Sequence, residues 1–207
     1  KTPWNTWITC EETVETSGGS LQKDHGFNFE VSPSEIVNLN TAVPLKDMGR
    51  FRHEAVAIDE ATNIAYQTED QDDGLIYRFL PYHGKNYLAG GTLQALAFEN
   101  KPQMDTRNWA EDKIRVGEKH KIKWLPLNAE IIKEDALRYR GYELGTAIFA
   151  RPEGMWYDDN IIYFTCTSGG KKKLGQIWKI DLRTQFLEMI FESNYPVILF
   201  SKFLRFF

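Results

Sequence analysis

The residues best suited to chemistry in this 207-residue chain are acidic, and they recur in a pattern. Glu54 and Glu153 each open a strand-like run just after a basic residue, in Arg52-His53-Glu54 and in Arg151-Pro152-Glu153. Cys10-Glu11 and Glu69-Asp70 each follow a strand-like run at matching places. Carboxylates that converge on one point repel one another and hold raised pKa values. A bound cation removes that repulsion, and hard cations such as calcium prefer an all-oxygen shell. Taken singly, a glutamate at a strand end is usually solvated or paired with a neighbouring arginine. The repetition sets this group apart.

Other side chains extend the set. Cys10 beside Glu11 offers a soft thiolate, which favours transition metals over calcium. On residue type alone, a small buried hydrophobe is the better reading of it. Cys166 alternates within an apolar run and reads as core. A guanidinium beside a metal cluster, such as that of Arg151, can grip a phosphate bidentately and stabilise the charge of phosphoryl transfer. It can also simply pair with Glu153. His53 directly precedes Glu54, so in a strand the two point to opposite faces, and His53 is left out. His25, His83 and His120 sit in polar, turn-like stretches. Asp72-Asp73-Gly74 reads as a tight turn. The glycine pairs lack the strand-then-helix setting of a phosphate-binding loop.

Short strands must position these groups. Strand-like runs occur at 5–10, 26–31, 55–59, 63–68, 74–79, 161–167 and 175–182, several alternating apolar and polar residues between Gly, Asp, Asn and Pro. They repeat as a set. One unit spans 54–59, 63–70 and 74–79, and a second spans 153–158, 160–167 and 175–180. An incomplete third spans 6–11 and 26–31. Repeated units of several short strands predict an all-β fold, a β-propeller. Equivalent positions then lie at equivalent radii around a central channel, so residues far apart in sequence converge. Glu54 and Glu153 are 99 positions apart, whereas Thr9-Cys10-Glu11 and Thr68-Glu69-Asp70 are 59 apart. The longer interval implies a partly helical insertion at about 101–145, poor in strand alternation and with helix-like spacing over 128–139. About three blades are visible, where propellers have four to eight. We therefore expect residues 1–193 to be a partial propeller domain. The apolar tail, 194–207, reads as a non-native continuation, with a docking helix or a buried strand as alternatives.

Composition sets outer bounds. The chain is 42% hydrophobic, 26% charged and 14% aromatic, which fits a folded protein and favours strands. A net charge of −4 argues against a general nucleic-acid binder, which needs a basic face. Lys171, Lys172 and Lys173 read as a solvated turn. Two cysteines define no disulfide framework. No run approaches the length of a membrane span.

Several segments, in order, resemble one known family. They are Trp4-Asn5-Thr6-Trp7-Ile8-Thr9-Cys10-Glu11-Glu12, Met48-Gly49-Arg50-Phe51-Arg52-His53-Glu54-Ala55-Val56, and Thr68-Glu69-Asp70 followed by Asp73-Gly74-Leu75. Gly90-Gly91-Thr92-Leu93-Gln94-Ala95-Leu96, Arg151-Pro152-Glu153-Gly154 and Thr167-Ser168-Gly169-Gly170 complete the series. Together they resemble the PhoX-type alkaline phosphatases over residues 2–193, with Asn5 in place of the usual glycine. The resemblance implies a six-bladed propeller, exported by the twin-arginine route to the periplasm or cell surface. It implies a monomeric phosphomonoesterase that uses iron and calcium on small phosphomonoester substrates. By resemblance, Cys10 is an iron ligand, and Glu11, Glu54 and Glu153 are metal-binding carboxylates. Glu69 and Asp70 are weaker members of that set, and Arg151 contacts phosphate. Two other readings compete. A calcium-dependent lactonase or esterase propeller would need a histidine dyad or asparagine ligands, and the Cys-Glu pair argues against it. A non-catalytic binding propeller would need no metal.

Overall fold

Alternation of apolar and polar residues dictates strand after strand along this chain. The structure, a computed structural model, describes residues 1–34, 41–129 and 134–194. The expected tail lies outside the described residues except for Asn194, as do residues 130–133 of the expected helical stretch. Strands β1 (Trp7–Cys10) and β2 (Asn28–Val31) form an antiparallel pair. A four-stranded antiparallel meander follows: β3 (His53–Ile58), β4 (Ala65–Glu69), β5 (Ile76–Pro81) and β6 (Gly91–Phe98). After β7 (Lys119–Leu127) and the helix α1 (Leu137–Leu144) comes a second meander. It comprises β8 (Pro152–Asp158), β9 (Ile161–Cys166), β10 (Gln176–Asp181) and β11 (Phe186–Glu192). The architecture is all-β and propeller-like, as the repeat predicted.

β7 joins the two meanders, each a blade-like unit. β7 pairs with β11 through Lys119–Lys121 and with β6 through Ile122–Leu127, so nine strands form one sheet. Strands β3 and β8 end that sheet and lie against each other. β7 falls in the stretch that we expected to be poor in strands. Its lysines, Lys119, Lys121 and Lys123, are exposed while His120 and Ile122 between them are buried. The period of two is present, but a histidine stands on the inward side. The helix begins later than its predicted span and ends where Gly145 turns left-handed at φ 109°.

One feature recurs in both blades. β3 carries an extra residue relative to β4 between His53 and Val56, and β8 carries one relative to β9 between Pro152 and Met155. These bulges fall on Glu54-Ala55 and on Glu153-Gly154. A bulge bends its strand and re-aims its side chains, and bulges concentrate beside functional sites.

The main core lies between the blades. Tyr66, Ile76, Leu96 and Phe98 of the first blade meet Phe164, Trp178, Ile180 and Met189 of the second. Phe149 sits edge-on to Phe164 and Trp178, with centroids 5.4 and 5.5 Å away. The first blade's other face is covered too, by Phe51, Leu137 and Ile148 over Tyr77 and Leu93, and by Leu45, Met48 and Tyr87 over Phe79. Every residue of β4 is therefore buried, including Gln67, Thr68 and Glu69.

Candidate functional site

Backbone hydrogen bonds draw several strand ends together where the two blades meet. His53 N–H donates to Glu11 O at 3.0 Å, and Asp70 N–H donates to Arg52 O at 3.1 Å. Arg151 N–H donates to Gln71 O at 2.9 Å, and Thr167 N–H donates to Arg151 O at 3.0 Å. The ends of β1, β3, β4, β8 and β9 thus surround one region. The Thr68 hydroxyl ties the two bulges together. It accepts from Ala55 N–H at 3.0 Å and donates to Glu153 O at 2.6 Å.

Arg151 is held in this region in a left-handed conformation, φ 49°. Its Nε and Nη2 donate to the two oxygens of Asp70 at 2.8 and 2.7 Å, a bidentate pair. Nη2 also lies 2.9 Å from Glu153 Oε1, which accepts from the Thr167 hydroxyl at 2.5 Å. The Asp70 side chain is 6% exposed, but that of Arg151 remains 44% exposed. Nη1 carries two further N–H groups. The guanidinium is therefore fixed on one edge and still has donors for a ligand.

Negative charge is crowded in this region. Burial, a hydrogen bond with Asp70 and the charges of Glu54, Asp70 and Glu153 push the Glu12 carboxyl up to about 7. Burial, with the charge of Glu54, pushes the Cys10 thiol up to about 12. Cys10, Glu12, Glu54, Asp70, Glu153 and Arg151 thus share one electrostatic neighbourhood. A cation placed there would reverse both shifts. The donor set of one thiol and several carboxylates fits such an ion. Among the described residues, no three His, Cys, Asp or Glu side chains are already gathered as a closed metal-binding group.

Two predicted site residues stand apart from this set. Glu11 spends its carboxylate on a neighbouring loop, accepting from Gly26 N–H at 2.8 Å and Phe27 N–H at 3.0 Å, with His25 Nδ1 at 2.9 Å. Glu69 points to the far side of β4. It is fully buried there and accepts from the Tyr77 hydroxyl at 2.7 Å and Leu75 N–H at 3.2 Å. Asp70 belongs to the region, but as the partner of Arg151. His53 stacks on Phe51 at 3.6 Å, and burial pushes it down to about 3, so it is a neutral core residue.

Three contributors were not singled out from sequence. Glu12 had a legible signal, because alternation puts residues 10 and 12 on one face of a strand and residue 11 on the other. Thr68 and Thr167 had none: small hydroxyls in strands are common, and only the fold gives these their partners.

A family model described as alkaline phosphatase PhoX matches residues 1–194. The fold is similar to a solved structure of Pseudomonas fluorescens PhoX in complex with vanadate, a transition state analogue, with a TM-score of 0.62 and 19% identity. That match covers 91% of this chain and 46% of the other, so the chain spans about half the length of the relative. No curated protein matches the chain.

Proposed function

Because the chain belongs to the PhoX alkaline phosphatase family, we propose that the region where its two blades meet serves a metal-dependent phosphomonoesterase. The observation that carries this reading is Arg151: a guanidinium locked by Asp70, with donors left over, beside carboxylates crowded closely enough to push the Glu12 carboxyl up to about 7. A phosphomonoester is a dianion and needs positive charge, which the guanidinium supplies and cations held by the carboxylates would add. In the relative, vanadate is bound as a transition state analogue. An oxyanion of that class is what Arg151 is placed to grip here.

Cys10, Glu54, Glu153 and Glu12 would hold the cations. A thiolate suits iron, and carboxylate oxygens suit calcium. When bound, such cations act as Lewis acids on phosphoryl oxygens and make water a better nucleophile. The chain's own residues do the rest. Asp70 fixes the guanidinium edge, and Arg151 Nη1 donates to the phosphate oxygens and orients the ester. The Thr167 hydroxyl donates to Glu153 and holds that carboxylate in one rotamer. We assign residues 1–193 to one propeller domain, with an insertion at about 101–145. Six blades, export by the twin-arginine route to the periplasm or cell surface, monomeric action and small phosphomonoester substrates belong to the same reading. Among the described residues, no helix is long and apolar enough to cross a membrane.

Elemental analysis beside phosphomonoester hydrolysis tests the proposal. Iron and calcium should be found together, with iron lost and hydrolysis abolished in Cys10→Ala. Calcium alone, with lactone hydrolysis, would favour a lactonase. A protein that binds no metal and hydrolyses nothing would be a binding propeller.

A further inference from the structure

The turn that presents Asp70 to Arg151 is itself gripped from behind. We propose that Arg138, on α1, is a positioning residue that sets the aim of Arg151 through this turn. The ligand of Arg151 is taken from the phosphomonoesterase reading, but the linkage between the two arginines is independent of it.

One guanidinium reaches both ends of the turn. Arg138 Nη1 lies 3.6 Å from Glu69 Oε1, just before Asp70, and Arg138 Nε donates to Asp73 Oδ1 at 2.9 Å, just after it. The guanidinium is oriented in turn by Asp135 Oδ2, 2.8 Å from Nη1, and by the Tyr139 hydroxyl, 2.7 Å from Nη2. The Tyr139 ring lies 4.3 Å from its central carbon. The Arg138 side chain is only 8% exposed, and that of Glu69 is 0% exposed. An exposed ion pair contributes little and yields readily, whereas this guanidinium is shielded from water and oriented by Asp73, Asp135 and Tyr139 together.

The turn has little room to move. A Cβ on Gly74 would stand 2.2 Å from Glu69 O and 3.0 Å from Gln71 O, so the backbone closes tightly on itself. Within it, Asp70 binds the Arg151 guanidinium and Gln71 O accepts from the Arg151 backbone N–H at 2.9 Å. Side chain and main chain of Arg151 are thus referenced to a segment whose two ends Arg138 holds. A contiguous chain of hydrogen bonds and ion pairs joins the insertion to the ligand-facing arginine.

The test compares Arg138→Met, Arg138→Lys, Asp73→Asn and Asp70→Asn in the full chain loaded with metal. Two quantities are read: the inhibition constant for inorganic phosphate, and the solvent exchange of the Arg151 Nε–H by nuclear magnetic resonance. Arg138→Met should weaken phosphate about tenfold and speed Nε–H exchange, and the Asp70→Asn background should absorb most of that effect. Arg138→Lys should not rescue, because an ammonium cannot span both ends of the turn. Asp73→Asn removes one grip and leaves Arg138 paired elsewhere, so it reports even if Arg138→Met fails to fold; it should give a smaller loss in the same direction. Unchanged phosphate inhibition with a still-protected Nε–H in these variants would overturn the proposal. A wild-type protein indifferent to phosphate would instead sink the phosphomonoesterase reading, and Nε–H exchange would still decide the role of Arg138.

Discussion

Glu69 and Asp70 are consecutive, yet they serve opposite sides of β4. One faces Tyr77 and Arg138 in a buried pocket, and the other faces Arg151 in the second blade. The residue types were legible as acidic, and so was their place after a strand. Their division of labour follows only from the pleat, which turns neighbours apart. The same parity separates Glu11 from Cys10 and Glu12. Asn5 is simpler to account for. It adopts φ 67°, a conformation that asparagine tolerates better than most residues. Glu69 also gives a pH prediction. Burial pushes its carboxyl up from 4.5 to about 7, against the pull of the Tyr77 hydroxyl and Arg138. A protonated Glu69 is thus favoured by the folded state. Its contribution to stability is fully present below about pH 4.5 and is lost as pH rises through about 7. Glu69→Gln keeps the shape and stays neutral. Thermal melts from pH 4.5 to 7.5 should therefore show the variant gaining on the wild type as pH rises. Parallel curves would show that Glu69 does not titrate in that window.

At the scale of elements, the twin bulges matter most. A one-residue slip in alternation looks like noise in a sequence, so neither bulge was legible. In the structure the same slip occurs at Glu54-Ala55 and at Glu153-Gly154, and Thr68 bonds to both. Thr68→Val preserves volume but removes the hydroxyl. It would leave Ala55 N–H and Glu153 C=O, both partly buried, without that partner, which costs about 1–2 kcal/mol. Urea unfolding checks this, and a wild-type midpoint would show that the bulges do not depend on the bridge. β7 was hidden for a different reason. Its alternation pairs lysines with a buried histidine, so a scale that looks for apolar residues passes over it.

For the whole molecule, the repeat made the propeller readable, because each blade restates the same strands and turns. The packing between blades was not readable, since Tyr66, Phe98, Phe149, Phe164 and Trp178 meet only after both meanders have formed. That packing holds Asp70 against Arg151, residues that are 81 positions apart. Trp178 is fully buried and stacks on Phe164 at 6.2 Å. Trp178→Ala should cost about 3–5 kcal/mol and lower the melting temperature in one cooperative step. A loss confined to the second blade, with the first melting as before, would show that the blades are independent. The bridging strand β7 has a consequence of another kind. Among the described residues, no strand pairs with its far side beyond Lys121. An open strand edge is a template for aggregation, and lysine and proline are the residues that spoil it. Along that open stretch β7 exposes Lys123 and Pro126. Two copies that approach along this edge meet as like charges, with one backbone donor missing, and fibre-like growth is discouraged where the sheet would otherwise invite it.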